Sequence, residues 1–70
     1  MSQVVLHVEG MTCSNCAAAV QRALASLDGV RHVDVRLLEK RVTVDYEPER
    51  TDPASIRARV DDAGYEANIA

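Results

Sequence analysis

Seventy residues carrying a formal charge of −3, with two tyrosines as the only aromatics, leave room for one small core and no separate catalytic lobe. The acidic balance excludes a nucleic-acid binder, which would present a basic face interleaved with aromatic stacking platforms. Two cysteines permit at most one disulfide, too few for a secreted disulfide scaffold. No stretch approaches the roughly 20 consecutive apolar residues of a membrane span, so no direct membrane insertion is expected. Met1-Ser2-Gln3 lacks a charged region, and His7 and Glu9 break the apolar run behind it, which is not the pattern of a signal peptide. The expectation is a cytoplasmic protein, where paired cysteines serve metal or redox chemistry more often than structure.

Val4, Leu6 and Val8 alternate with Val5, His7 and Glu9, the period of a half-buried strand. Gly10 to Asn15 interrupts that pattern as a loop. From Cys16 the apolar spacing changes to three and four, through Val20, Ala23, Leu24 and Leu27. With four further alanines this predicts an amphipathic helix of three to four turns. Thr12, Ser14 or Asn15 would cap its start, and Gly29 would follow its end. Val33, Val35 and Leu37 restore alternation, as do Val42, Val44 and Tyr46, with Leu38-Glu39-Lys40-Arg41 as the hairpin connection.

Pro48 stops that strand, and Thr51-Asp52-Pro53 opens a second helix with an Asp cap and Pro at the first helical position. Ile56, Val60 and Ala63 form its apolar stripe, Gly64 ends it, and Tyr65, Ala67 and Ile69 suggest a last short strand. The order is βαββαβ over one domain, residues 1–70. Two right-handed crossovers place both helices on one face of a four-stranded antiparallel sheet, the ferredoxin-like α+β sandwich. The name describes topology alone, since two cysteines cannot supply the four ligands of an iron–sulfur cluster.

The chemistry lies in Gly10-Met11-Thr12-Cys13-Ser14-Asn15-Cys16. A two-residue spacing at a helix start lets both sulfurs converge on one point, where the partial positive charge of the helix end suits thiolate ligands. Soft thiolates select Cu(I), Hg(II) or Cd(II), whereas a structural zinc site wants four protein ligands in a closed tetrahedron. Neither His7 nor His32 has the spacing to complete such a set, and both are expected to be exposed. Two ligands suit a metal of low coordination number, Cu(I) or Hg(II).

In these residues the sequence resembles the heavy-metal-associated domain family, which includes copper chaperones and the N-terminal metal-binding domains of copper-transporting P-type ATPases. Gly10 to Cys16 matches the family's Gly-Met-x-Cys-x-x-Cys loop. The likeness continues through Leu27-x-Gly29-Val30, Val33-x-Val35, Val42-Thr43-Val44 and Ala63-Gly64-Tyr65, covering essentially the whole chain. The resemblance implies that Cys13 and Cys16 bind Cu(I) in near-linear geometry and pass it by thiolate exchange to a partner's cysteine pair. That partner would be a copper-transporting P-type ATPase or a copper chaperone. It implies a carrier rather than an enzyme, with Hg(II), Cd(II) or Zn(II) binding in vitro and a metal-bridged homodimer as a further form. Thr at position 12 is the usual choice of copper-type relatives, where zinc- and cadmium-handling ones often carry Asp. Mercury-binding periplasmic relatives share the loop but are made with signal peptides.

Three further assignments follow. Met11 is read as a flexible core filler beneath the loop rather than a thioether ligand. Tyr65, at the start of the last strand, would support or shield the metal loop, as in bacterial relatives. Asp61 and Asp62 oppose the dipole of the helix end they occupy, either as a solvated terminus or as a docking surface for a basic partner. The rival readings are a mercury or soft-metal detoxification binder and a dithiol redox protein. The second is disfavoured because thioredoxin-like enzymes are longer and usually hold Pro inside the motif.

Overall fold

The computed structural model describes residues 2–11 and 13–69. Six elements follow in chain order: β1 (Ser2–Glu9), α1 (Ser14–Ala25), β2 (Val30–Arg36), β3 (Arg41–Tyr46), α2 (Pro53–Asp62) and β4 (Glu66–Ile69). The four strands form one antiparallel sheet in the order β2-β3-β1-β4. The expected βαββαβ sandwich is therefore the observed one. Strand alternation decides which face is covered: Val4, Leu6 and Val8 of β1 and Val42, Val44 and Tyr46 of β3 are buried. They form one cluster with Val20 and Leu24 of α1 and Ile56 and Val60 of α2, so both helices share that face.

The element ends differ from the sequence reading in instructive ways. Helix α1 begins at Ser14, with Cys13 as its N-cap in extended conformation and no side-chain cap hydrogen bond. Ser14 and Asn15 therefore lie inside the first turn instead of capping it, while Thr12 lies outside the described residues. The helix also ends early, at Ala25. Ser26 caps it with its amide on the Arg22 carbonyl at 3.1 Å and its hydroxyl on that of Ala23 at 2.9 Å. Gly29 serves another purpose. At φ +96° it lets the chain pass where a Cβ would stand 2.8 Å from Arg50 Cβ and 3.1 Å from Thr51 Cγ2.

The hairpin turn occupies residues 37–40, one position earlier than expected, and Lys40 takes the left-handed conformation at φ 57°. In α2 the expected start is found: Asp52 accepts from the Ser55 amide at 2.7 Å, and Pro53 follows. Ala63 is exposed rather than part of the buried stripe, because it is already the helix cap.

Pairing register fixes what gathers around the cysteine loop. Glu9 faces Glu66 across β1 and β4, so the C-terminal end of α2 reaches the same end of the sheet as the loop after β1. The Val8 amide donates to the Lys40 carbonyl at 2.9 Å, which brings the β2–β3 turn to that end as well. At the opposite end the loop after α1 meets the loop after β3. There Glu47 donates its amide to the Gly29 carbonyl at 2.8 Å, and its carboxylate lies between Arg31 and Arg50.

Candidate metal centre

The loop after β1 delivers Cys13 to the start of α1, and the first helical turn returns Cys16 beside it. The two reduced sulfurs stand 3.2 Å apart. Their surroundings differ. Cys13 is exposed at the N-cap, where its carbonyl accepts from the Ala17 amide at 3.1 Å, whereas Cys16 is half-buried and packs against the core. One thiol therefore faces solvent from a backbone outside the helix, and the other is held by the helix and the core beneath it.

Met11 is buried, only 3% exposed, as part of the hydrophobic cluster. That placement matches a filler beneath the loop. Tyr65 lies across the site, its ring 3.5 Å from the position a Cβ on Gly10 would occupy. Its hydroxyl hydrogen-bonds to the Cys16 side chain. That bond first, then desolvation and the charges of Cys16 and Cys13, holds the phenol above its ordinary range. The tyrosine thus sits beside Gly10 of the loop and bonds one thiol, a placement that would leave ordinary contact room for a Cβ at position 10.

His7 pairs with Glu9 at 3.3 Å, and His32 is exposed on β2. Among the described residues no group of three or more His, Cys, Asp or Glu side chains is placed to hold a metal ion. The chemistry available at the loop is therefore that of two sulfur donors open to a third from outside. Such a set fits a soft ion of low coordination number and not a closed tetrahedral zinc site.

Asp61 and Asp62 are exposed in the last turn of α2. Register adds acids that periodicity could not connect: Glu9 and Glu66 sit opposite each other at the same end, and Glu39 lies in the β2–β3 turn. Lys40 lies in that turn, with Arg36 and Arg41 facing each other beside it, so the end bearing the cysteines carries charges of both signs.

The comparisons with known proteins agree with this geometry. The heavy-metal-associated domain family matches residues 5–66. The copper chaperone CopZ of Staphylococcus aureus (strain JH9) is 39% identical over 66 residues, which cover 94% of this chain and 97% of that one. A crystal structure of a copper-binding domain from HMA7, a P-type ATPase, superposes with a TM-score of 0.99 at 36% identity, covering 100% of this chain and 95% of that chain. Oxidised MerP from Ralstonia metallidurans CH34 superposes with a TM-score of 0.93 at 32% identity, covering 97% and 94% respectively. No helix among the described residues is long and apolar enough to cross a membrane. With its loop, its sheet and its relatives in accord, the chain belongs to the heavy-metal-associated domain family.

Proposed function

We propose that residues 1–70 form a single Cu(I)-carrying domain in which Cys13 and Cys16 are the metal ligands and no substrate bond is changed. The observation that carries this reading is the pair of sulfurs 3.2 Å apart at the open end of a helix, one exposed and one anchored. Each thiol releases its proton as its sulfur–copper bond forms. A partner's thiolate then adds to the open side, giving a three-coordinate intermediate. The bond to Cys13 breaks first, because that sulfur is the more accessible, and the bond to Cys16 breaks last. Copper remains Cu(I) throughout.

Tyr65 supports the site by holding the Cys16 side chain and covering the loop next to Gly10. Thr12, between Met11 and Cys13 in the sequence, is proposed to set the copper-type character. The transfer partner is a cysteine-pair domain of a copper-transporting P-type ATPase, or a copper chaperone, in the cytoplasm. Asp61 and Asp62 guide its docking electrostatically. Sharing of both thiolate pairs would give a metal-bridged homodimer.

The test is a Cu(I) titration of the reduced protein against a competing chelator, repeated with Cys13→Ser and Cys16→Ser. Tight one-to-one binding in the parent and its loss in both variants is expected; a parent that binds no better than the variants ends the copper reading. One second reading is a mercury binder, since the mercury-binding relatives that the sequence resembles share the loop. Repeating the titration with Hg(II) and comparing release to a thiolate acceptor separates the two, since a carrier releases its ion readily. Turnover in a disulfide-exchange assay well above that of free dithiol would instead support redox chemistry.

A further inference from the structure

Among the described residues β2 is an edge strand, paired only with β3. Its free groups follow from the register. The bond from the Val8 amide to Lys40 means that Val42 and Val44 direct their amides and carbonyls toward β1, while Arg41 and Thr43 direct theirs toward β2. Asp34 and Arg36, opposite Thr43 and Arg41, therefore point back at β3, and the backbone polar groups of Val33 and Val35 point off the sheet. The edge is regular here, because its bulge lies further back, between Val30 and His32.

This stretch holds no Pro, no Lys and no bulge, and the charges of Asp34 and Arg36 are what blunt it. Beside it lies a hollow of about 320 Å³ lined by Val35, Arg36, Leu37, Leu38 and Glu39, and Leu38 is 98% exposed. The β4 edge contrasts with it. There Arg57 Nε donates to the Ala67 carbonyl at 2.8 Å and occupies an edge acceptor.

We propose that this edge pairs antiparallel with the same edge of a second copy, centred on Val35. Charge favours that register over one centred on Asp34. With Val35 opposite its own copy, Asp34 of each chain faces Arg36 of the other, extending the Asp34–Arg36 pair already formed within each chain at 3.1 Å. Val33 comes opposite Leu37 on the apolar side, and the exposed Leu38 comes opposite His32. Centring on Asp34 instead would oppose His32 to Arg36. The backbone groups of Val35 that point off the edge bond reciprocally, and the result is an eight-stranded sheet across two copies. Antiparallel pairing sends the two cysteine loops to opposite ends, so this association uses neither thiol nor metal and differs from a metal-bridged dimer.

The test is sedimentation or light scattering of the reduced, metal-free protein in a concentration series up to about 1 mM, as befits a small interface. A concentration-dependent dimer is expected in the parent and in the double variant Cys13→Ser/Cys16→Ser. Asp34→Arg and Arg36→Asp each set like charges opposite one another and weaken association about tenfold or more. Mixed together, the two variants restore complementarity at both positions and form a heterodimer. Val35→Pro removes an outward amide while sparing the ladder to β3, and it abolishes the dimer. A parent that stays monomeric across the series overturns the proposal. So does a dimer lost with the cysteines, or a mixture of the charge variants no more associated than either alone. Copper affinity, measured separately, bears on the metal reading and not on this one.

Discussion

Gly29 and Gly64 share nearly the same backbone conformation, φ +96° and +97°, in different surroundings. Alanine at either position incurs the left-handed penalty of an L-residue, about 1–2 kcal/mol. At Gly64 nothing lies within 4 Å of the added Cβ, so the backbone term stands alone. At Gly29 the added carbon meets Arg50 Cβ at 2.8 Å, beside the main chain rather than at the tip of a flexible side chain. Relief requires moving the 47–51 loop. That loop is fixed by the Glu47 amide on Gly29 at 2.8 Å, by the Arg50 and Thr51 amides on the Glu47 carbonyl at 3.0 Å each, and by the Arg50–Asp28 pair at 3.3 Å. Forced overpacking adds about 1–3 kcal/mol. Gly29→Ala should therefore destabilise the reduced metal-free protein by about 1–3 kcal/mol more than Gly64→Ala, read from urea midpoints at a common slope. Equal losses, within about 0.5 kcal/mol, would refute the close-approach argument.

Other outcomes follow from single contacts. Asp52 is held below its ordinary carboxyl range by its hydrogen bonds from Ser55, backbone first, so its contribution is present above the unfolded value and fades as pH falls through the folded one. Asp52→Ala should lower the melting temperature at neutral pH, with the gap from the parent closing on acidification below about pH 4; a gap that persists unchanged would count against the cap. Among the described residues the buried Thr51 hydroxyl has no hydrogen-bond partner, so Thr51→Val should raise stability by about 1 kcal/mol in chemical denaturation, and a loss would show that the hydroxyl is satisfied. Reversing Asp61 and Asp62 to Lys should slow copper transfer to a cysteine-pair partner at low salt and leave the rate at high salt nearly unchanged; equal rates at low salt would remove these residues from docking.

Periodicity made most of the fold legible because each strand buries only one face. Val4, Leu6 and Val8 and the Val42–Tyr46 set could be assigned inward without knowing their neighbours, and α2 announced its start through Asp52-Pro53. The boundaries of α1 were not legible, for two different reasons. Ser14 and Asn15 are good capping residues, yet the cap position is held by Cys13, a residue placed by the site rather than by helix propensity. Gly29 looked like a helix terminator because glycine serves both at helix ends and at close approaches, and only the contact with Arg50 and Thr51 tells them apart. At the site, Cys13 and Cys16 were visible from their spacing. The Glu9–Glu66 pair and the seat of Tyr65 against Gly10 depend on a register between segments more than 50 residues apart, which alternation does not specify.

The division of the molecule into two ends bears on how the proposed carrier would work. The far end is fastened by ion pairs among Arg31, Glu47, Arg50 and Asp28 together with the Gly29 crossing, while the cysteine end has no side-chain cap on α1 and an exposed Cys13. Surface pairs of this kind contribute little individually, but several converging on half-buried Glu47 tie two loops together at the end opposite the cysteines. Any displacement of exposed Cys13 would cost little of the core, because Met11 and Cys16 hold the base of the loop against it. The proposed two-donor site on such a base would need no large conformational change to admit a third thiolate. It follows that substitutions around Glu47 should change stability and leave copper affinity of the folded protein unchanged, whereas Met11→Ala should reduce both. A Glu47 variant that weakened copper binding without unfolding the chain would show that the two ends are coupled after all.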